Sequence, residues 1–196
     1  ESSFNCDWVT WNLEMLSSMY DAMSGRALDA LVKTDQWLKD WPKAPAFERG
    51  VVLGVHGASC IQTLDFKTAR KVLREAKQEF SACEAEYGIS WMSFMYALVL
   101  IKQGQIKESK HMLESSLRAA NDNMGGHSLA SALLHLGLGY ACYVMNSLEE
   151  ARHHIDKGFF SIEEHGHVET VHIAFLTKSN LLLRAGNLSE SMSLLY

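Results

Sequence analysis

The sequence predicts an all-α solenoid of about five helix–turn–helix units, and three observations carry that prediction. A small residue follows an apolar one by three places at regular intervals: Ala30 after Ala27, Ala69 after Phe66, Ser109 after Ile106, Ala151 after Leu148 and Ser191 after Leu188. The small residues are 39, 40, 42 and 40 positions apart, and a fixed period near 40 marks stacked supersecondary units that cannot bury their apolar faces alone. Both prolines, Pro42 and Pro45, fall in one stretch, which leaves long uninterrupted runs with helical spacing of apolar residues. Each period also divides into two helical patterns joined by a short turn, and no run alternates like a strand.

The elements follow in order. The first repeat, at about 6–41, turns at Gly25. Counting back from that turn places Ser17, Ser18 and Asp21 at core positions. A shifted register is therefore expected, with Trp8, Trp11, Leu16, Met19, Tyr20 and Met23 forming the buried side. A degenerate unit of this kind suits the end of a stack, or a stack whose neighbour was cut away. The second repeat (45–87) starts a helix at Pro45, turns at Leu64 and Asp65, and continues as a helix over 66–87. The third (89–122) has a helix over 91–102, a turn at Gln103, Gly104 and Gln105, and a helix over 106–120. There Ile106, Ser109, Met112, Leu113, Ser116 and Leu117 share one face. The fourth (126–165) pairs helices 127–145 and 148–164 about Asn146 and Ser147; the fifth (167–196) pairs 168–184 with a segment cut at Tyr196 about Gly186 and Asn187. Gly88, Gly125, Gly126 and Gly166 read as helix stops between repeats. Together they predict ten helices in one repeat domain spanning 1–196.

The fourth repeat aligns Leu138, Gly139 and Cys142, the turn at Asn146, then Ala151, Ile155 and Gly158. The third supplies Tyr96, Ala97, Leu100, Gly104, Ser109, Leu113 and Ser116, and the second His56, Gly57, Cys60, Leu64, Ala69, Leu73 and Ala76. The fifth supplies Lys178, Ser179, Leu182, Gly186, Ser191 and Leu195, with Lys178 a departure. This order of apolar, small, large, turn and small–large–small resembles the tetratricopeptide family, whose units stack into a right-handed superhelix. The common unit of that family repeats every ~34 residues, shorter than the period here. The longer unit, with turns such as Gly104-Gln105-Ile106-Lys107-Glu108-Ser109 and Gly186-Asn187-Leu188-Ser189-Glu190-Ser191, resembles the repeat domain of MalT-like, LuxR-type regulators. The resemblance covers roughly residues 25–196.

In that family an ATPase module precedes the repeats, a DNA-binding helix-turn-helix follows, and the repeats receive an inducer or an inhibitory protein. The implied role is a ligand- or partner-sensing domain in the cytoplasm, taking a small-molecule inducer or a regulatory protein or peptide. No cofactor is implied within this stretch, and ATP belongs to the missing upstream module. Self-association of the full-length protein stays open. A TPR-like scaffold that binds a peptide or helix in its groove is the alternative. The resemblance also implies that the first helix of each pair lines the concave side. Projecting inward then selects Trp91, Phe94, Met95, Leu98 and Lys102 from the third repeat, and Tyr140, Tyr143, Asn180 and Arg184 from the fourth and fifth. Aromatic area with polar tips suits recognition, and Arg184 with Asn180 suits a carboxylate or a sugar hydroxyl. A lysine- and asparagine-rich clamp for acidic C-terminal tails is absent from these positions.

Composition excludes other classes. The 196 residues are 47% hydrophobic and 21% charged with net charge −5, a globular balance without the basic footprint of direct nucleic-acid contact. The apolar run at 91–101 is far below the ~20 residues of a membrane span, and no signal peptide is recognisable at the start. Opening at Glu1 and stopping in mid-helix are expected of a piece of a larger protein. Cys6, Cys60, Cys83 and Cys142 are widely separated and read as free thiols of a reducing compartment. Adjacent His153 and His154 diverge on a helix, and His165, Gly166, His167 and His172 lack a carboxylate or cysteine at ligand spacing, so no metal site is expected. Ser59 and Cys60 lie inside a helix rather than on a nucleophile elbow. Lys67, Arg70, Lys71, Arg74 and Lys77, interleaved with Glu75 and Glu79, read as a solvated helix face. No phosphate loop and no catalytic constellation is present, so no enzyme is expected.

Overall fold

A computed structural model of the protein describes residues 6–124, 126, 128–165 and 171–194. These form ten α-helices and no strand: α1 (Cys6–Met23), α2 (Ala27–Asp40), α3 (Ala46–Gln62), α4 (Phe66–Ala82), α5 (Glu86–Lys102), α6 (Ile106–Met124), α7 (Leu129–Val144), α8 (Leu148–His165), α9 (Val171–Arg184) and α10 (Leu188–Ser193). The chain divides into two compact units, residues 1–99 and 100–196, with the boundary inside α5. In the first unit α1 pairs with α2 and α3 with α4, while α1 and α2 both touch α3. In the second, α7 pairs with α8 and α9 with α10, and α7 also packs on α6 and α9.

The sharp ends of these helices share one mechanism. Gly25, Leu64, Glu84, Gly104, Asn146 and Gly186 take φ of 76°, 63°, 55°, 78°, 62° and 83°. At the first, Arg26 N–H donates to the Asp21 carbonyl at 2.8 Å and Gly25 N–H to Ala22 at 3.3 Å. The same two bonds recur at the others, from Asp65 to Cys60, Ala85 to Phe80, Gln105 to Leu100, Ser147 to Cys142 and Asn187 to Leu182, each accompanied by a bond from the left-handed residue to the carbonyl three positions before it. This Schellman closure satisfies the last carbonyls of a helix through one left-handed residue. Glycine adopts that conformation freely and asparagine readily. Leu64 and Glu84 take it without that intrinsic freedom, in turns closed by the same pair of hydrogen bonds.

Glu84 corrects one sequence expectation. Gly88 does not stop a helix; α4 ends at Ala82, the chain turns at Glu84, and Gly88 lies within α5. A Cβ on Gly88 would sit 2.5 Å from ring atoms of Phe80, so the residue is small to admit that ring. Likewise α6 runs on to Met124, and α7 starts at Leu129 with Ser128 as its N-cap, accepting from Ser131 N–H. Residues 1–5, 125, 127, 166–170 and 195–196 lie outside the described residues, and with them the helix stops expected at Gly125 and Gly166.

The period itself is a packing device. Ala30, Ala69, Ser109, Ala151 and Ser191 are all buried, none above 2% exposed. Twelve positions before them stand Ser18, Gly57, Ala97, Gly139 and Ser179, also buried. The two small rows let the helices of a hairpin approach closely: a Cβ on Gly57 would lie 2.5 Å from Leu73, and Ser179 Oγ meets Ser191 Oγ at 2.7 Å.

Ser18 belongs to this row, so the first repeat keeps the common register, contrary to the expected shift. Leu16, Tyr20 and Met23 are exposed, while Ser18 and Asp21 are buried; Trp8 lies among side chains that are not described. Asp21 occupies a position filled by Cys60, Leu100 and Cys142 in later repeats. It is tolerated there because Lys33 forms an ion pair with it and Arg26 Nε donates to it at 2.9 Å. Those two cations hold its carboxyl below the usual carboxylate range.

Candidate functional site

The position seven before each repeat's small residue is exposed in every repeat: Met23, Gln62, Lys102, Val144 and Arg184. Each lies on the first helix of its pair, in the last turn or at its end. The first unit contributes Met23 and Gln62, and Gln62 Nε2 donates to the Ala22 carbonyl at 3.0 Å. The second unit contributes Lys102, Val144 and Arg184.

In the second unit α7 and α9 lie side by side and carry four of the residues selected from sequence, of which Tyr143 and Arg184 meet. Tyr140 and Tyr143 are half-buried on α7, and Asn180 and Arg184 are exposed on α9. The Arg184 guanidinium lies 5.3 Å from the centre of the Tyr143 ring, a cation–π arrangement. Its Nη1 donates to Asn146 Oδ1 at 2.9 Å. The left-handed turn residue thus orients the arginine, a role its turn signal alone did not reveal. A planar cation held over an aromatic ring beside an exposed amide suits a carboxylate-bearing ligand.

The selected residues of the third repeat divide differently. Phe94 is 0% and Leu98 6% exposed, so both are core, a correction to their projected place on a surface. Inward projection fails there because helical spacing does not distinguish a buried flank of a helix from an open one. Trp91 and Met95 are half-buried and pack on the core around Leu53, Leu73 and Met92. Trp91 also closes on Gly54, where a Cβ would stand 3.4 Å from its ring. Trp91→Ala is therefore expected to lower the stability of the first unit by about 2 kcal/mol, as large-to-small changes in packed sites do. A melting temperature unchanged by Trp91→Ala would return this residue to the recognition surface. Lys102 is exposed at the end of α5.

Other reactive groups are set by packing. Burial raises the Cys60 thiol to about 11 and the Cys142 thiol to about 12, which leaves both protonated and unreactive at neutral pH. Cys83 is a free, exposed thiol. The Lys71–Glu75 pair at 3.8 Å is the expected i, i+4 contact of a solvated face. His135 and His154 approach to 2.8 Å between Nδ1 atoms across α7 and α8, a pair with no sequence signal beyond two histidines in separate helices. Among the described residues no group of three or more His, Cys, Asp or Glu could hold a metal ion; His165 to His167 fall outside the described side chains. No helix among the described residues is long and apolar enough to cross a membrane.

Paired helices, left-handed hairpin ends and small-residue crossings define a tetratricopeptide-like helical repeat. The chain belongs to the MalT-like TPR region family, whose model matches residues 14–196. Among solved structures it is similar to the apo form of RapI, with a TM-score of 0.65 at 12% identity over 94% of this chain. The chain spans about half (51%) of the length of that protein, and the likeness is one of fold. No curated protein matches the sequence.

Proposed function

We propose that this chain is the ligand- or partner-sensing repeat domain of a MalT-like transcriptional regulator, without catalysis of its own. Its occupancy would control an ATPase and DNA-binding output carried elsewhere. The observation that supports this best is the α7–α9 face, where Arg184 is posed over Tyr143 beside Tyr140 and Asn180. An exposed face of this kind, spread over two helices, favours a polypeptide segment with a carboxylate over a small molecule enclosed on all sides. Binding shifts a regulator only by its differential affinity for two states, so the ligand here must prefer one arrangement of the repeats.

A thermal-shift screen of short acidic peptides, sugars and small aromatic metabolites tests the reading. An acidic peptide should raise the melting temperature of the native chain and lose that effect in Arg184→Ala and Tyr143→Ala. Both residues stand at the surface or half-buried, so the unliganded variants should melt within a few degrees of the native chain. A sugar or metabolite that stabilises the chain through the same residues identifies a small-molecule inducer instead. Stabilisation that survives both substitutions rules out this face.

A further inference from the structure

The second helix of the second repeat, α4, departs from its counterparts at positions the other repeats keep alike. Five places after the small residue stand Asp35, Glu114 and Asp156 in the first, third and fourth repeats, and Arg74 in the second. Eight places after it stand Leu38, Leu117 and Phe159, and in the second repeat Lys77. Leu38 and Leu117 are half-buried and Phe159 is buried, so Lys77 interrupts a row of packing residues. Two places before the small residue, Lys67 completes the set. Lys67, Arg70, Arg74 and Lys77 step by three, four and three, which puts them on one face of α4 over about 15 Å of its axis.

The acids of α4 do not neutralise this row. Glu75 pairs with Lys71 at 3.8 Å and Glu79 with Arg49 of α3 at 3.0 Å. Among the described residues Lys67, Arg74 and Lys77 have no ion-pair partner. Lys67 and Arg74 are exposed and Lys77 is half-buried. Burial without a paired acid holds the Lys77 ammonium below the usual lysine range. Arg70 Nε donates to Tyr96 Oη at 3.1 Å, with its guanidinium 5.6 Å from the ring centre. The Arg70 carbonyl in turn accepts from Arg74 Nε at 3.2 Å. Arg74 is thereby anchored by one nitrogen, and its two terminal nitrogens keep the fork that grips a carboxylate at two points. A solvated face explains Lys71 and Glu75, but not an unpaired, partly desolvated lysine in an apolar row. A local rule broken without an internal gain marks a functional position.

We propose that this face of α4 docks an acidic helix of a partner protein, its carboxylates spaced by three and four residues to meet Lys67, Arg74 and Lys77. Opposite charge steers and registers such a contact, and a carboxylate on Lys77 supplies the partner that its burial lacks. Nucleic acid fits the face less well. A duplex carries a phosphate charge every ~1.7 Å, whereas Glu75 and Glu79 interrupt the cations of α4 and the whole chain has net charge −5. The α4 face lies in the first unit and the α7–α9 face in the second, so the two are separate sites.

The test is fluorescence anisotropy of the native chain with a labelled, end-capped helical peptide bearing glutamates at i, i+3, i+7 and i+10. The peptide should bind, and bind less tightly as salt rises. Lys67→Glu combined with Arg74→Glu should weaken it by roughly tenfold or more. Glu149 and Glu114 occupy those places in other repeats, so the fold tolerates both changes. Lys77→Leu, which matches α2 and α6, should also weaken binding yet raise the melting temperature. Lys39→Glu combined with Lys43→Glu makes the same change of charge at exposed positions of the first unit. That variant should bind like the native chain, as should Arg184→Ala. No binding by the native chain overturns the proposal. An equal loss in the Lys39 and Lys43 variant does so too, since attraction would then follow overall charge alone. A DNA duplex of similar length that binds more tightly through Lys67 and Arg74 overturns it in favour of nucleic acid. Self-association of the native chain abolished by the Lys67 and Arg74 changes overturns it in favour of a second copy.

Discussion

Gly139→Ala is expected to destabilise the α7–α8 pair by about 2 kcal/mol, although alanine is the better helix former by about 1 kcal/mol. The added Cβ would stand 2.6 Å from Ile155 Cγ1, 2.7 Å from Cδ1 and 3.1 Å from the Ile155 backbone nitrogen. Rotation of Ile155 cannot relieve the first contact without moving Cδ1 into the buried layer, and no rotation relieves the last. The helices must separate, and Leu136 on Gly158, 2.5 Å from a notional Cβ there, resists the same movement from the other side. For a unit of this size the loss corresponds to a fall of roughly 10 °C in melting temperature. Gly126→Ala is the control, since a Cβ there meets nothing within 4 Å. Equal melting temperatures for Gly139→Ala and the native chain would mean that the small rows are not the crossing points of the hairpins.

The second large effect is acid lability of the same helix pair. His135 and His154 meet at 2.8 Å with ring centres 5.1 Å apart. Burial, then the opposing imidazole, Lys157 and His153, lowers His135 to about 4; burial and His153 do the same for His154. Lys157 and Lys110 add to the effect on His154, and Glu150 opposes it. From α9, Lys178 is paired with Asp156 at 3.6 Å. The folded pair is neutral, with one Nδ1 donating and the other accepting. An unfolded histidine takes up a proton near pH 6.5, the folded one only near 4, so the stabilisation is complete above pH 6.5 and is lost as pH falls towards 4. One such shift corresponds to about 3 kcal/mol at full separation of the two states. The melting temperature of the native chain should therefore drop steeply between pH 7 and 5, and a His135→Gln, His154→Gln double variant should show a much shallower drop. His56, lowered by burial against Thr34 and partly countered by Asp35, contributes a remainder that the variant retains. Equal slopes for the two proteins would remove the pair as the cause.

Much of the fold is legible in the sequence because it rests on local requirements. A left-handed residue must end each hairpin, and Gly25, Gly104, Asn146 and Gly186 announce it; Leu64 does so through the repeat phase. Small residues must sit where helices cross, and the recurrence from Ala30 to Ser191 locates them. Glu84 was not legible, since nothing local favours a left-handed glutamate, and Gly88 offered a stronger but misleading signal. The register of α1 was obscured by Asp21, a charged residue at a core position that becomes acceptable through Lys33 and Arg26, one of them in the next helix.

The candidate site shows the same division. Helical spacing together with the family resemblance selected Tyr140, Tyr143, Asn180 and Arg184, two on α7 and two on α9, and of these Arg184 and Tyr143 meet across the two helices. The sequence could not separate them from Phe94 and Leu98, which occupy the same rows, because exposure depends on which neighbouring helix covers a flank. Nor could it join Asn146 to Arg184 or His135 to His154, contacts between residues 38 and 19 positions apart. Periodicity by itself determined that this protein is a stack of helix pairs and where each pair crosses, since both follow from steric demands within one repeat. The tertiary structure alone decided which rows are surface and which buried charges and imidazoles are paired, since each depends on a neighbouring helix.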